Sequence, residues 1–266
     1  MSATSPQAAT QSLFDLAGKV ALITGSTRGI GLAIAQRFAA HGARVVVSSR
    51  KPDACEAAKA AIVEAGGEAI AVPCNIGYKD QLQALVDATL AAYGAIDVLV
   101  CNAAVNPYFG PLARIGDDAF DKIMASNVRS NLWLCNMVMP GMAERGGGAA
   151  IILSSIAGIK GTRLLGAYAL SKAADSQLAR NLAVEWGGKN VRTNCIAPGI
   201  IKTDFAKALY ENPMTHQMAV KQIPLGRLGE VDDVSGVAVL LASRAGQYIN
   251  GQTIVVDGGT TIAGFD

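Results

Sequence analysis

Tyr168 and Lys172 stand four residues apart in the stretch Gly166-Ala167-Tyr168-Ala169-Leu170-Ser171-Lys172. In a helix that spacing puts a phenol and an ammonium on one face, a turn apart. An isolated tyrosine titrates near about 10 and stays protonated at neutral pH. A neighbouring cation favours the phenolate, which makes the phenol a usable proton donor and acceptor. The pattern is short, and an exposed aromatic beside a solvated lysine satisfies it too. Its meaning depends on the elements that hold it.

Those elements belong to a chain of 266 residues, 51% apolar, with a net charge of +2. That is enough for one α/β domain with a large core. Acidic and basic residues are interspersed, so no basic stripe suggests a nucleic acid or an anionic membrane as partner. No apolar run approaches the roughly 18 residues needed to cross a bilayer. Residues 1–12 are small and polar, with neither a basic start nor an apolar centre. They read as a flexible tail and not as a signal peptide, and a cytoplasmic location is expected. The five cysteines are odd in number and form no C-x-x-C pair, as expected of buried free thiols. Two histidines, His41 and His216, offer little for a zinc site or a Ser-His-Asp triad, so no metal is expected.

Short apolar runs alternate with helical periodicities along the chain. Strands are predicted at 20–24, 44–48, 69–72, 98–101, 150–153, 191–196 and 253–256. Helices are predicted from the glycine turn to Gly42, then at 53–65, 79–93 and 117–144, the last bent near Pro140. Two more follow, one running past Tyr168 and Lys172 to about Trp186, the other at 231–242. Repeated βα units predict a single doubly wound α/β domain over 13–266, with a seven-stranded, mostly parallel sheet and helices on both faces. The irregular stretch 199–227 is read as a lid over a substrate.

The first βα turn, Gly25-Ser26-Thr27-Arg28-Gly29-Ile30-Gly31, has the spacing Gly-x-x-x-Gly-x-Gly. Bare backbone there, with a helix N-terminus behind it, suits a pyrophosphate. At the end of the second strand a fold that prefers NAD usually carries an acidic residue. This chain has Ser48-Ser49-Arg50-Lys51 instead. Hydroxyls and adjacent cations suit a 2′-phosphate, with Arg28 as a possible third cation, and the cofactor predicted is NADP(H). A solvated basic turn is the plainer alternative.

Taken together these motifs resemble the short-chain dehydrogenase/reductases, over nearly the whole chain from about Leu16 to Gly259. The turn Thr24 to Gly31 is similar to that family's cofactor turn. Cys101-Asn102-Ala103-Ala104 stands where the family has Asn-Asn-Ala-Gly, and Asn75 where many members have an aspartate. Asn127, Ser155 thirteen residues before Tyr168, Pro198-Gly199 with Thr203 beyond, and the closing run Gly251 to Gly259 also match. The resemblance implies a Rossmann-type fold and a homotetramer. It implies catalysis by Ser155, Tyr168 and Lys172, with Asn127 anchoring a water that links Lys172 to solvent. It implies cofactor contacts from the glycine turn, Ser49, Arg50 and Lys51, Asn75 and Ile76, Asn102, Ala103 and Ala104, Tyr168, Lys172, Pro198, Gly199, Ile201 and Thr203. The reaction expected is hydride transfer between NADP(H) and a ketone or aldehyde. A 3-oxoacyl-[acyl-carrier-protein] reductase and a polyol or sugar dehydrogenase are alternatives, and a non-catalytic nucleotide-binding sensor is a remoter one. Loops 105–114, 156–165 and 200–227, with Tyr108, Phe109, Ile156, Leu164, Leu165, Phe205, Leu209 and Tyr210 among others, predict an apolar or aromatic-lined substrate pocket.

Overall fold

Side chains alternate between the two faces of a strand, and here both faces are apolar. Ala21, Ile23, Val45, Val47, Ile151 and Leu153 enter one core. Their neighbours Leu22, Val46, Ala150 and Ile152 enter the other. A computed structural model describes residues 12–264, so the expected tail lies outside the described residues except for Ser12.

The strands are β1 (Val20–Thr24), β2 (Arg44–Ser48), β3 (Glu68–Ala71), β4 (Val98–Cys101), β5 (Gly148–Leu153), β6 (Val191–Pro198) and β7 (Thr253–Val256). They form one sheet in the order β3-β2-β1-β4-β5-β6-β7. Every neighbouring pair is parallel, so the sheet is parallel throughout and not merely for the most part. The helices are α1 (Gly29–Ala40), α2 (Pro52–Glu64), α3 (Lys79–Tyr93), α4 (Asp117–Met124), α5 (Ser130–Glu144), α6 (Gly166–Trp186), α7 (Lys207–Tyr210), α8 (Pro213–Lys221) and α9 (Val231–Ala242). Helices α1, α2 and α9 close the first core with Ile34, Phe38, Ile62, Val234 and Leu241. Helices α3, α5 and α6 close the second with Leu82, Leu85, Leu134, Met139 and Leu182.

Two expectations need correction. The long helix expected over 117–144 is continuous but contains a π-helical turn at Ala125–Arg129 between α4 and α5, and α5 runs on through Pro140 to Glu144. A π turn inserts one extra residue, and such turns occur mostly at functional sites. The stretch after Pro198 is not irregular: it holds a 3₁₀ turn (Asp204–Ala206) and helices α7 and α8. Asn212 starts α8 by accepting hydrogen bonds from the Met214 and Thr215 N–H groups, with Pro213 at the first helical position. All five cysteines are buried and unpaired. Among the described residues no helix is long and apolar enough to cross a membrane.

Candidate active site

The strand order reverses between β1 and β4, and in open α/β sheets ligands bind where this happens, beyond the carboxyl ends of the strands. A crevice of about 570 Å³ opens there. One wall is the turn after β1. Gly25 has φ +66°, and Gly31 lies so close to the Gly25 carbonyl and the Asn102 amide that a Cβ would strike both. Asn102 ties the turn to the end of β4: its Nδ2 donates to the carbonyls of Thr24 (2.9 Å) and Gly25 (3.1 Å). Thr24 Oγ1 in turn accepts from the N–H groups of Asn102 and Ala103, each at 3.1 Å. Helix α1 starts behind this turn with no side-chain cap and no acidic residue in its first turn. Its positive dipole end is therefore left for an anion.

Ser49, Arg50, Lys51, Asn75 and Ile76 line the next wall. Arg50 and Lys51 are exposed, and among the described residues neither side chain has an ion-pair partner. Arg28 differs: it reaches Asp204 at 3.3 Å on the opposite rim, which balances the charge expected of a third cation. Asn75 accepts the Gly77 N–H through Oδ1 at 3.1 Å. Thr27, Gly29, Ile30, Ala103, Ala104, Pro198 and Thr203 also line the crevice.

Three of the residues expected at the cofactor are not among those that line the crevice. Ser26 is fully buried; its hydroxyl donates to the Ile23 carbonyl at 2.7 Å and accepts the Ser48 N–H at 2.9 Å. Its own N–H donates to the Ser48 carbonyl. Ser26 thus fastens β1 to β2 from inside. Ile201 is an apolar side chain that packs into the first core, and Gly199 sits against Asp257, where a Cβ would have no room.

Tyr168 and Lys172 both line the crevice from the first turns of α6. The Lys172 ammonium lies 5.7 Å from the centre of the Tyr168 ring. It donates to the Leu153 carbonyl at 2.6 Å and to Asp175 at 2.9 Å. Lysine has three N–H donors, so one remains for a group in the crevice. Lys172 is 3% exposed and Asp175 not at all. Burial works against both charges. At Lys172 the pull of Asp175 and Tyr168 outweighs burial and holds the ammonium above the ordinary lysine value. At Asp175 burial wins over Lys172 and Asn131, and its carboxyl titrates above the usual aspartate range.

Ser155 caps a 3₁₀ turn, Ile156–Gly158, by accepting the Ala157 N–H at 3.1 Å, which leaves its own hydrogen free to donate. Ser154 lines the crevice but is buried with its hydroxyl taken up, donating to the Lys172 carbonyl at 2.7 Å, whereas Ser155 is half-buried. Asn127 sits in the π turn. Its Nδ2 donates to the Val105 carbonyl (3.0 Å) and Ser171 Oγ (3.0 Å), and its Oδ1 accepts the Val105 N–H (2.8 Å). Both amide hydrogens are thus engaged, and the side chain holds the loop after β4 against α6. The Asn127 carbonyl accepts from Asn131, whose same nitrogen also donates to Asp175 at 3.0 Å. Neither Asn131 nor Asp175 figures in the sequence reading. An aspartate three residues after Lys172, on the same helix face, was the available signal.

The stretch after Pro198 reaches this group. Phe205 lies 6.0 Å from Tyr168, ring centre to ring centre, and is 63% exposed. On the other side the loops after β4 and β5 are joined by a bridge between Gly110 and Leu165.

Comparison with known proteins agrees with this geometry. A family model described as enoyl-(acyl carrier protein) reductase matches residues 25–261. Dehydrogenase/reductase SDR family member 4 of Oryctolagus cuniculus is 43% identical over 244 residues, covering 92% of this chain and 94% of its own. The Homo sapiens protein of the same name is 40% identical, covering 92% and 88%. A 7 alpha-hydroxysteroid dehydrogenase solved with NADH and 7-oxo glycochenodeoxycholic acid superposes with a TM-score of 0.89 at 38% identity, covering 93% of this chain and 96% of its own. A gluconate 5-dehydrogenase from Burkholderia cenocepacia, solved with NADP and tartrate, gives 0.90 at 32%, covering 95% and 98%. A chain with this sheet order, this glycine turn and these relatives is an oxidoreductase that belongs to the short-chain dehydrogenase/reductase family.

Proposed function

We propose that the protein is an NADP(H)-dependent carbonyl reductase, reversible as a secondary-alcohol dehydrogenase, with Tyr168 as its acid and base. The observation that carries this reading is the placing of Tyr168 and Lys172 together on the wall of a dinucleotide-sized crevice. The residues present fit the cofactor. The uncapped start of α1 suits the pyrophosphate, and unpaired Arg50 and Lys51 with Ser49 suit a 2′-phosphate. Asn102 to Ala104, Pro198 and Thr203 would flank the nicotinamide half. A nicotinamide held there supplies or accepts the hydride.

The chain's own groups do the rest. As charge builds on the carbonyl oxygen, the Ser155 hydroxyl donates a hydrogen bond to it, and Tyr168 delivers the proton. In the opposite direction Tyr168 takes the proton back. Lys172 stabilises the phenolate by its charge and offers its remaining N–H to the cofactor ribose. Asn127 keeps α6 and the loop after β4 in register through Ser171 and Val105.

Exposed Phe109, Leu112 and Leu164 on the bridged loops, with Phe205 beside Tyr168, favour an apolar or aromatic ketone over a sugar. The test is NADPH consumption over a panel of aliphatic and aryl ketones, with Tyr168→Phe alongside. Turnover should fall by about 10²- to 10⁴-fold in that variant while NADPH binding persists. Near-normal turnover would break the mechanism, and NADPH binding by the unaltered protein without turnover on any ketone would favour the sensor.

A further inference from the structure

Behind Lys172 lies a group for which hydride transfer has no evident use: a fully buried carboxylate. Asp175 Oδ2 accepts from the Lys172 ammonium at 2.9 Å, and its Oδ1 accepts from Asn131 at 3.0 Å. The Asn131 amide nitrogen also donates to the Asn127 carbonyl, so α5, the π turn and α6 are joined beneath the crevice. Both carboxylate oxygens thus have a donor, as a buried charge requires.

We propose that Asp175, braced by Asn131, is a positioning residue that acts through Lys172: it holds the ammonium charged against the Leu153 carbonyl and sets the pH at which the Tyr168–Lys172 pair loses the proton that ketone reduction needs. This inference rests on the reading of Tyr168 and Lys172 given above. Reduction requires the pair in its fully protonated form, phenol and ammonium together. A negative charge in contact with the ammonium opposes loss of the first proton from the pair, whichever of the two releases it. Asp175 therefore extends reduction to higher pH and makes the phenolate, needed for oxidation, harder to form. The carboxylate biases the site toward the reductive direction.

The surroundings leave Asp175 as the anion that acts here. Facing Lys172 and Asp175 are Tyr168 on α6 and the thiols Cys101 on β4 and Cys195 on β6. Burial and Asp175 push Cys195 up to about 12. The adjoining Cys135 and burial hold Cys101 well above the usual thiol value, so both are neutral in the working range. Arg180, farther along α6, acts on Cys195, and Lys122 of α4 lines the crevice itself.

The measurement is kcat for NADPH-driven ketone reduction by the full chain, from neutral into alkaline pH. With Asp175→Asn the alkaline limb should move down by about one pH unit or more. A tenfold loss of relative rate should follow one unit above the limb. Asp175→Glu keeps the charge, so its limb should stay near that of the unaltered protein even if kcat falls. A purely structural role would lower kcat or the melting temperature and leave the limb where it is. The Asn variant places a donor opposite either Lys172 or Asn131, so Asp175→Val, which removes the charge without that mismatch, is assayed if the first does not fold. An unmoved limb in the folded charge-free variant overturns the inference. Substantial turnover by Tyr168→Phe would instead overturn the function proposed above, so the two failures are told apart.

Discussion

The two walls of the crevice are held in opposite ways. The glycine-turn wall is fixed from within: Thr24, Ser26 and Asn102 bond the turn to three parallel strands. The opposite wall, around Thr203 to Glu211, carries its ion pairs on the outside. Arg28–Asp204, Lys207–Glu211 and Lys202–Glu230 are all exposed pairs, each side chain at least 46% accessible. Solvent screens such pairs, and salt weakens them further. Under the function proposed above, the first wall would meet the nucleotide and gain from rigidity, and the second would meet the substrate and could be altered without unfolding the sheet.

Substitutions on each wall can break or sharpen this comparison. The largest effect is expected at Gly31→Ala. The new methyl meets the Gly25 carbonyl and the Asn102 amide, so the turn must shift. Overpacking of this kind costs about 1–3 kcal/mol. Binding of NADPH and NADH should weaken together, up to roughly 100-fold, as read by fluorescence titration; full retention of both would show that the turn is not the rigid wall. A smaller and more selective effect is expected at Arg50→Asp. It should lower the NADPH-to-NADH affinity ratio by about tenfold or more, since a hydrogen bond to a charged group contributes roughly 1.5–3 kcal/mol. An unchanged ratio would remove Arg50 from the phosphate site. The smallest effect is expected at Phe205→Ala on the lid. Loss of one aromatic contact should raise KM for aryl ketones by about twofold to tenfold. NADPH affinity should not move, and if it falls in step with KM, lid and cofactor wall are one unit.

Helix α6 shows how far a sequence reaches and where it stops. The register that brings Tyr168 and Lys172 to one face is a local property of the 3.6-residue turn, and it is visible in the order of residues alone. The same holds for the strands, whose apolar runs lie close to where the sheet has them, and for the glycines between β1 and α1. What each side chain meets across a gap is a different matter. Ser26 and Thr27 are neighbours in a turn, yet one faces the interior and the other the crevice. Asp175 looks like an ordinary helix residue until α5 brings Asn131 against it, and Phe205 belongs to a loop until the 3₁₀ turn after Pro198 lays it beside Tyr168. The π turn at Asn127 is likewise invisible in the apolar pattern, because one extra residue in a turn leaves the helical rhythm on either side intact.

The sequence by itself determined the elements, their order, and the pairing of phenol and amine on one helix face, because hydrophobic period and turn chemistry act over a few residues. Only the tertiary structure decided which polar groups are used up inside, which cations stay unpaired at the crevice, and that a buried carboxylate stands behind the lysine. Those outcomes depend on strands and helices far apart in the chain being packed side by side, where the cost of an unpartnered buried charge selects the neighbours.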